Sequence, residues 1–106
     1  MTIFDEREMA FENKFIHDQE TLFKVRARRA RLLGEWAAGQ LGLSGDDAAA
    51  YSRRLADEDF SAERVTELID AVERDFADAD VDVSRHRIER EAERLFHVAR
   101  DQVMSQ

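Results

Sequence analysis

Few residues in this chain of 106 have the types and spacing that conventional catalysis requires. The absence of cysteine excludes a thiol nucleophile and a thiolate metal site. His86 and His97 face the same way on a helix, but three turns separate them by about 16 Å, too far to share a metal ion. Glu93 and His97, at i and i+4, supply only two ligands. With no glycine-rich phosphate loop and no nucleophile elbow, we predict no catalytic residue, no metal site and no enzymatic activity.

A run of bases is the strongest candidate for binding an anion. Five basic residues and no acid lie between Lys24 and Arg31. Lys24, Arg28 and Arg31 share one helix face, which could hold a phosphate group or an acidic protein surface. Together with Trp36 this basic face could contact an adenine nucleotide, the only cofactor that the sequence suggests. The alternative interpretation is a solvated, ion-paired helix surface.

Composition restricts the remaining classes of function. A net charge of −8 repels nucleic acid, and no aromatic stacking platform accompanies the basic residues. No apolar run approaches the roughly 20 residues of a membrane span. The chain has no proline and only four glycines, the residues that usually interrupt helices. We therefore expect an all-α, cytoplasmic protein that binds no nucleic acid and does not insert directly into a membrane.

Hydrophobic periodicity predicts four amphipathic helices, near residues 20–41, 45–58, 61–77 and 84–103. Capping signals flank them: a glycine follows the first helix and a serine precedes each of the others, at Gly42, Ser44, Ser61 and Ser84. Connections of about 2–7 residues are typical of small helical bundles. Residues 20–104 are thus predicted to form a four-helix bundle.

Charge is distributed unevenly along these helices. Residues 57–82 contain eleven acids and two bases, and these acids either pair with basic faces across the bundle or are solvated. Arg26 and Arg29 fall on the apolar side of their helix, where their heads must reach an acid or the rim. Residues 85–87 place two arginines and a histidine in the first turn of the last helix, where the dipole disfavours cations. An acidic neighbouring segment would explain them.

The first 19 residues differ from the bundle. On a helix, Phe4, Phe11 and Phe15 fall within about 40° of one another, and charged residues flank this narrow apolar stripe. A core-facing helix usually has a wider apolar arc, whereas a narrow stripe suits a helix that lies in a groove. We therefore predict a mobile or marginally helical arm at residues 1–19. The alternative is a fifth helix that packs its phenylalanines on the bundle.

An ordered set of strings runs through about residues 3–58: Phe4-Asp5-Glu6-Arg7-Glu8, Phe11-Glu12-Asn13-Lys14-Phe15, His17-Asp18-Gln19-Glu20, Phe23-Lys24, Ala27-Arg28-Arg29, Leu32-Leu33-Gly34-Glu35-Trp36-Ala37-Ala38, Leu41-Gly42 and then Tyr51. Together they resemble the zeta subunit family of alphaproteobacterial F-type ATP synthases. Ala30 departs from this pattern, in which a polar Asn is expected. The C-terminal half agrees in length and helical layout only.

This resemblance implies an inhibitor whose N-terminal segment enters a catalytic interface of the ATP synthase head and blocks ATP hydrolysis. It implies a monomer when free, located in the cytoplasm and peripheral to the inner membrane through the ATP synthase. The implied partner-binding residues are aromatic anchors and charged residues that set register: Phe4, Asp5, Glu6, Arg7, Glu8, Phe11, Glu12, Lys14 and Phe15. A nucleotide- or phosphate-sensing module using residues 24–31 and a generic helical adaptor are the alternatives.

Overall fold

The structure, a computed structural model, describes residues 10–57 and 65–105. Throughout these two ranges the regular secondary structure is helical and contains no strand, which confirms the all-α class. None of the helices described there has the length and apolar character needed to cross a bilayer. Several predicted positions lie outside the described residues, namely Phe4, Asp5, Glu6, Arg7, Glu8 and the N-cap Ser61.

The first helix, α1, is described over residues 10–15. It is followed by α2 (Gln19–Gln40), α3 (Gly45–Asp57), α4 (Val65–Asp78) and α5 (Arg85–Met104). Local chemistry sets several of these ends. Ser84 caps α5 by accepting a hydrogen bond from the Arg87 N–H at 3.1 Å. Gly42, with φ of 79°, terminates α2 in the left-handed region that glycine adopts without strain.

Helix α2 is the central element of the bundle. It packs against α3 on one side and α5 on another, while α4 packs mainly on α5. The main core lies between α2, α3, α4 and α5 and includes the fully buried Leu33, Ile69, Val72 and Ile88. A second, smaller group of buried side chains lies at the N-terminal end of α2, and we call it the arm-side cluster: Ile16, Leu22, Val25, Phe96 and Ala99.

The basic first turn of α5 meets an acidic helix, as its sequence requires. Arg85 donates to Asp70 at 2.6 Å and to Glu73 at 3.0 Å, both on α4. Desolvation alone would lower the pKa of Arg85, but these two hydrogen bonds outweigh it and raise the pKa above its ordinary value. Pairing between a basic and an acidic helix therefore occurs at this end of the bundle.

Gly34 is where α2 and α3 approach most tightly. A Cβ atom added to Gly34 would lie 2.9 Å from Cα of Ser52, so an alanine there must push the two backbones apart. Overpacking of this kind costs about 1–3 kcal/mol. We expect Gly34→Ala to lower the free energy of unfolding by that amount in urea denaturation followed by circular dichroism.

Gly39 provides a matched control in the same helix, because a Cβ atom there would meet nothing within 4 Å. Gly39→Ala should raise the free energy of unfolding by about 0.5–1 kcal/mol, since alanine loses less backbone entropy than glycine in a helix. Equal stabilities of the two variants would contradict the tight approach at Gly34.

Candidate functional site

The described part of the arm folds back over the bundle. Helix α1 ends at residue 15, and residues 16–18 connect it to α2 without helical structure. Asp18 begins α2 as its N-cap, accepting from the Glu20 N–H at 3.1 Å and the Thr21 hydroxyl at 2.8 Å. The Thr21 and Glu20 hydrogen bonds lower the pKa of Asp18, which keeps the cap charged. This new helix start allows the chain to reverse direction between α1 and α2.

Glu12 is the most deeply buried acid that the structure describes, with 2% of its surface exposed. Its Oε1 accepts a hydrogen bond from Nε of Arg26 at 2.6 Å, and its Oε2 accepts one from Nη1 of Arg29 at 3.1 Å. Both arginines are themselves buried, and the Arg29 guanidinium also lies 5.7 Å from the centre of the Phe96 ring. The arm thus supplies the acid that the two arginines on the apolar side of α2 need.

Aromatic and aliphatic contacts surround this ion-paired group. The Phe11 ring centre lies 5.7 Å from that of Phe96 and 5.0 Å from that of His97, both in edge-to-face geometry. Ile16 is 3% exposed and packs in the arm-side cluster with Leu22 and other side chains of α2 and α5. We call the contacts of Phe11, Glu12 and Ile16 with α2 and α5 the arm–bundle contact.

Phe15 is less enclosed than Phe11. Its ring lies 5.0 Å from Phe11 and 5.5 Å from His97, yet 42% of the residue stays exposed. The Arg100 guanidinium and the Lys14 ammonium lie 5.4 Å and 6.0 Å from the ring centre, within the range of a cation–π contact. Both described rings of the aromatic stripe therefore contact the bundle, and the ring of Phe15 stays partly exposed to solvent.

The described part of the arm is thus a helix that buried ion pairs and aromatic contacts hold on the bundle. One of its aromatic rings stays partly exposed. A family model for the ATPase inhibitor subunit zeta matches residues 1–102 of this chain. The chain belongs to this family. The resemblance seen in the N-terminal half is confirmed, and the match extends through most of α5. No curated protein sequence matches the chain.

In this zeta-family chain the basic face lies on α2 beside two open cavities of about 360 and 410 Å³, and Arg28 and Arg31 line both. Arg28 also donates to the side chain of Gln102 on α5 at 3.0 Å, and Lys24 lies 3.6 Å from Glu20. Trp36 is absent from the lining of both cavities. Its ring instead lies 5.8 Å from Phe76 in the bundle. The structure thus groups the three bases and places the tryptophan elsewhere.

The sequence of this zeta-family chain did not by itself identify the residues of the bundle that contact the arm. A partial signal was present, because Arg26 and Arg29 fall on the apolar side of α2, where their charged heads must reach an acid or the rim. Phe96 and His97 carry no comparable signal, because an aromatic residue on an amphipathic helix is ordinarily assigned to the core. Within residues 10–57 and 65–105, no three histidine, aspartate or glutamate side chains come together as ligands for a metal ion.

Proposed function

We propose that this zeta-family chain inhibits ATP hydrolysis by an F-type ATP synthase, and that its N-terminal arm enters a catalytic interface of the enzyme's head. The match to the ATPase inhibitor subunit zeta family over residues 1–102 carries the proposal. The chain itself performs no chemistry. It acts by occupying a crevice that has to close during each catalytic cycle, and the bundle stays outside as the anchor.

The architecture supports a separable arm. Within the described residues, the main core draws its buried side chains from residues 33–95 and takes none from α1. The contacts described for residues 10–16 with the bundle lie at the arm-side cluster, at the buried ion pairs and at the side chains of His97 and Arg100 on α5. The arm can therefore leave the bundle while the main core stays closed.

The energetics favour reversible binding. Burying a phenylalanine side chain in a partner contributes about 1.5–3 kcal/mol, and ordering a flexible segment on binding costs a few kcal/mol. Exposed charges near the aromatic rings, such as Lys14, would influence register and partner choice more than affinity. We therefore expect an inhibitor that binds the enzyme reversibly.

A titration of the purified cognate ATPase with the full chain tests the proposal. We expect the rate of ATP hydrolysis to fall in a saturable manner as the chain is added. If the chain binds the enzyme without changing the hydrolysis rate, it is an adaptor and the proposal is wrong.

Replacing Phe11 and Phe15 together by alanine should raise the half-inhibitory concentration about thirtyfold or more, since truncating a buried aromatic anchor commonly costs at least about 2 kcal/mol. Phe23→Ala is the control, because Phe23 is an aromatic residue on α2 with 62% of its surface exposed. It should leave inhibition unchanged. In the wild-type chain the rings of Phe11 and Phe15 also contact the bundle. Stronger inhibition by the double variant would therefore show that these rings hold the arm on the bundle and do not anchor it in the enzyme.

A nucleotide- or phosphate-sensing role is the second candidate, and the grouping of Lys24, Arg28 and Arg31 beside two cavities favours it. Titration with ATP and with ADP, followed by NMR, tests it. Saturable shifts confined to these three residues would support sensing. The absence of any response would leave a plain protein–protein inhibitor.

A further inference from the structure

We propose that Glu12, Arg26 and Arg29 form a latch that holds the arm on the bundle in the free protein and opposes inhibition. The proposal rests on the proposed function, because the arm has to leave the bundle before Phe11 can contact another protein. It assigns Glu12 a role inside the chain, whereas the sequence alone predicts a contact with the partner.

The geometry of the carboxylate is that of a specific attachment. Each oxygen of Glu12 accepts from a different guanidinium, at 2.6 Å from Arg26 and at 3.1 Å from Arg29. All three side chains are more than nine-tenths buried. Hydrogen bonds between charged groups are shorter and stronger than neutral ones, and their directionality fixes the register of α1 against α2. A purely apolar contact would allow α1 to slide.

Neutralising Glu12 penalises only the latched state. When the arm lies on the bundle, a glutamine at position 12 removes the carboxylate that the two buried guanidiniums share, and removing one partner of a buried ion pair is strongly destabilising. When the arm is released, both guanidiniums reach water and the substitution changes little. Glu12→Gln should therefore shift the population of the free protein towards the released arm.

This shift has a definite consequence for inhibition. If the ATPase binds only the released arm, the apparent affinity is the intrinsic affinity multiplied by the released fraction. Raising that fraction strengthens inhibition. A partner contact through Glu12 predicts the opposite, because the substitution would then remove a favourable interaction in the complex.

Hydrogen exchange on the free full-length chain measures the latch directly. The Ile16 amide, which donates to the Glu12 carbonyl at 3.0 Å, and the amides of α1 report the state of the arm. We expect Glu12→Gln to reduce their protection at least about tenfold, while the amides of the main core keep theirs. On the cognate ATPase, the half-inhibitory concentration should fall at least about threefold.

Glu20→Gln is the matched control, because Glu20 lies on α2, is largely exposed and pairs only weakly with Lys24 at 3.6 Å. The same charge change there should alter neither exchange nor inhibition. Should Glu12→Gln unfold the whole protein, Arg26→Gln replaces it. In that variant Glu12 keeps Arg29, so we expect an intermediate loss of protection with the bundle intact.

Unchanged protection of α1 in both variants would overturn the latch. Lower protection combined with equal or weaker inhibition would show that the latch does not oppose inhibition. It would instead favour a contact between Glu12 and the partner protein. If the wild-type chain fails to inhibit its cognate enzyme, the proposed function is wrong, and the exchange data on the free chain still decide whether the latch exists.

Discussion

A chain that starts at Met9, and so lacks residues 1–8, should lose at least about 100-fold in inhibitory potency. The deletion removes Phe4 and the charged string at residues 5–8, about half of the arm that we propose enters the enzyme. A loss of 100-fold corresponds to about 2.7 kcal/mol of binding free energy, within the range for one aromatic anchor and its charged neighbours. The measurement is the half-inhibitory concentration on the cognate ATPase.

This deletion is a cleaner experiment than removal of residues 1–19. The longer deletion also takes away Ile16, which is 3% exposed, and Glu12, which pairs with two buried arginines. Loss of inhibition would then have two possible causes, the missing arm and the disturbed arm-side cluster. With residues 10–16 retained, the described arm–bundle contact stays in place and thermal unfolding should remain cooperative. Full inhibition by the shortened chain would exclude residues 1–8 from the mechanism.

Phe96→Ala should lower the free energy of unfolding by about 3–5 kcal/mol, the usual cost of truncating a buried phenylalanine to alanine. The Phe96 ring is fully buried on α5 and lies 5.7 Å from the ring of Phe11 and 5.7 Å from the Arg29 guanidinium. Its removal leaves a cavity where the arm, α2 and α5 meet. Each kcal/mol should lower the melting temperature by about 4–8 °C in a domain of this size.

The arm should respond to the same substitution. Because Phe96 supports both Phe11 and Arg29, we expect the amides of α1 to lose protection before those of the main core as denaturant is added. Phe23→Ala, at an exposed position on α2, should change stability by no more than about 0.5 kcal/mol. A Phe96→Ala protein as stable as the wild type would contradict the packing of the arm-side cluster.

Much of the fold follows from local rules that can be applied to the sequence alone. Apolar spacing of three and four residues predicts the helices, and Ser84 and Gly42 act at helix ends as expected. An acidic neighbouring segment would explain the basic first turn of α5, and the packed helices identify Asp70 and Glu73 as the partners of Arg85. Local hydrogen bonds and side chains three and four positions apart decide the helices and their ends, so the sequence alone predicts them.

Gly34 illustrates a feature that the sequence alone does not predict. The sequence shows a glycine within an otherwise regular helix, which lowers helix stability by up to about 1 kcal/mol without an evident reason. The structure supplies the reason, since the backbone of α3 at Ser52 passes where a side chain would lie. Such a close approach depends on how two helices cross, and helical periodicity carries no information about crossing distance.

The sequence by itself determined the all-α class, the family, and the presence of an aromatic, charged segment ahead of a bundle with two arginines on its apolar side. The tertiary structure decided that Glu12 is the acid that pairs with those arginines. It also decided that Phe11 packs against Phe96 while Phe15 stays partly exposed to solvent. The physical reason is separation along the chain. Helix formation is governed by residues three and four apart, whereas Glu12 meets partners 14 and 17 positions away only because the chain reverses at residues 16–18.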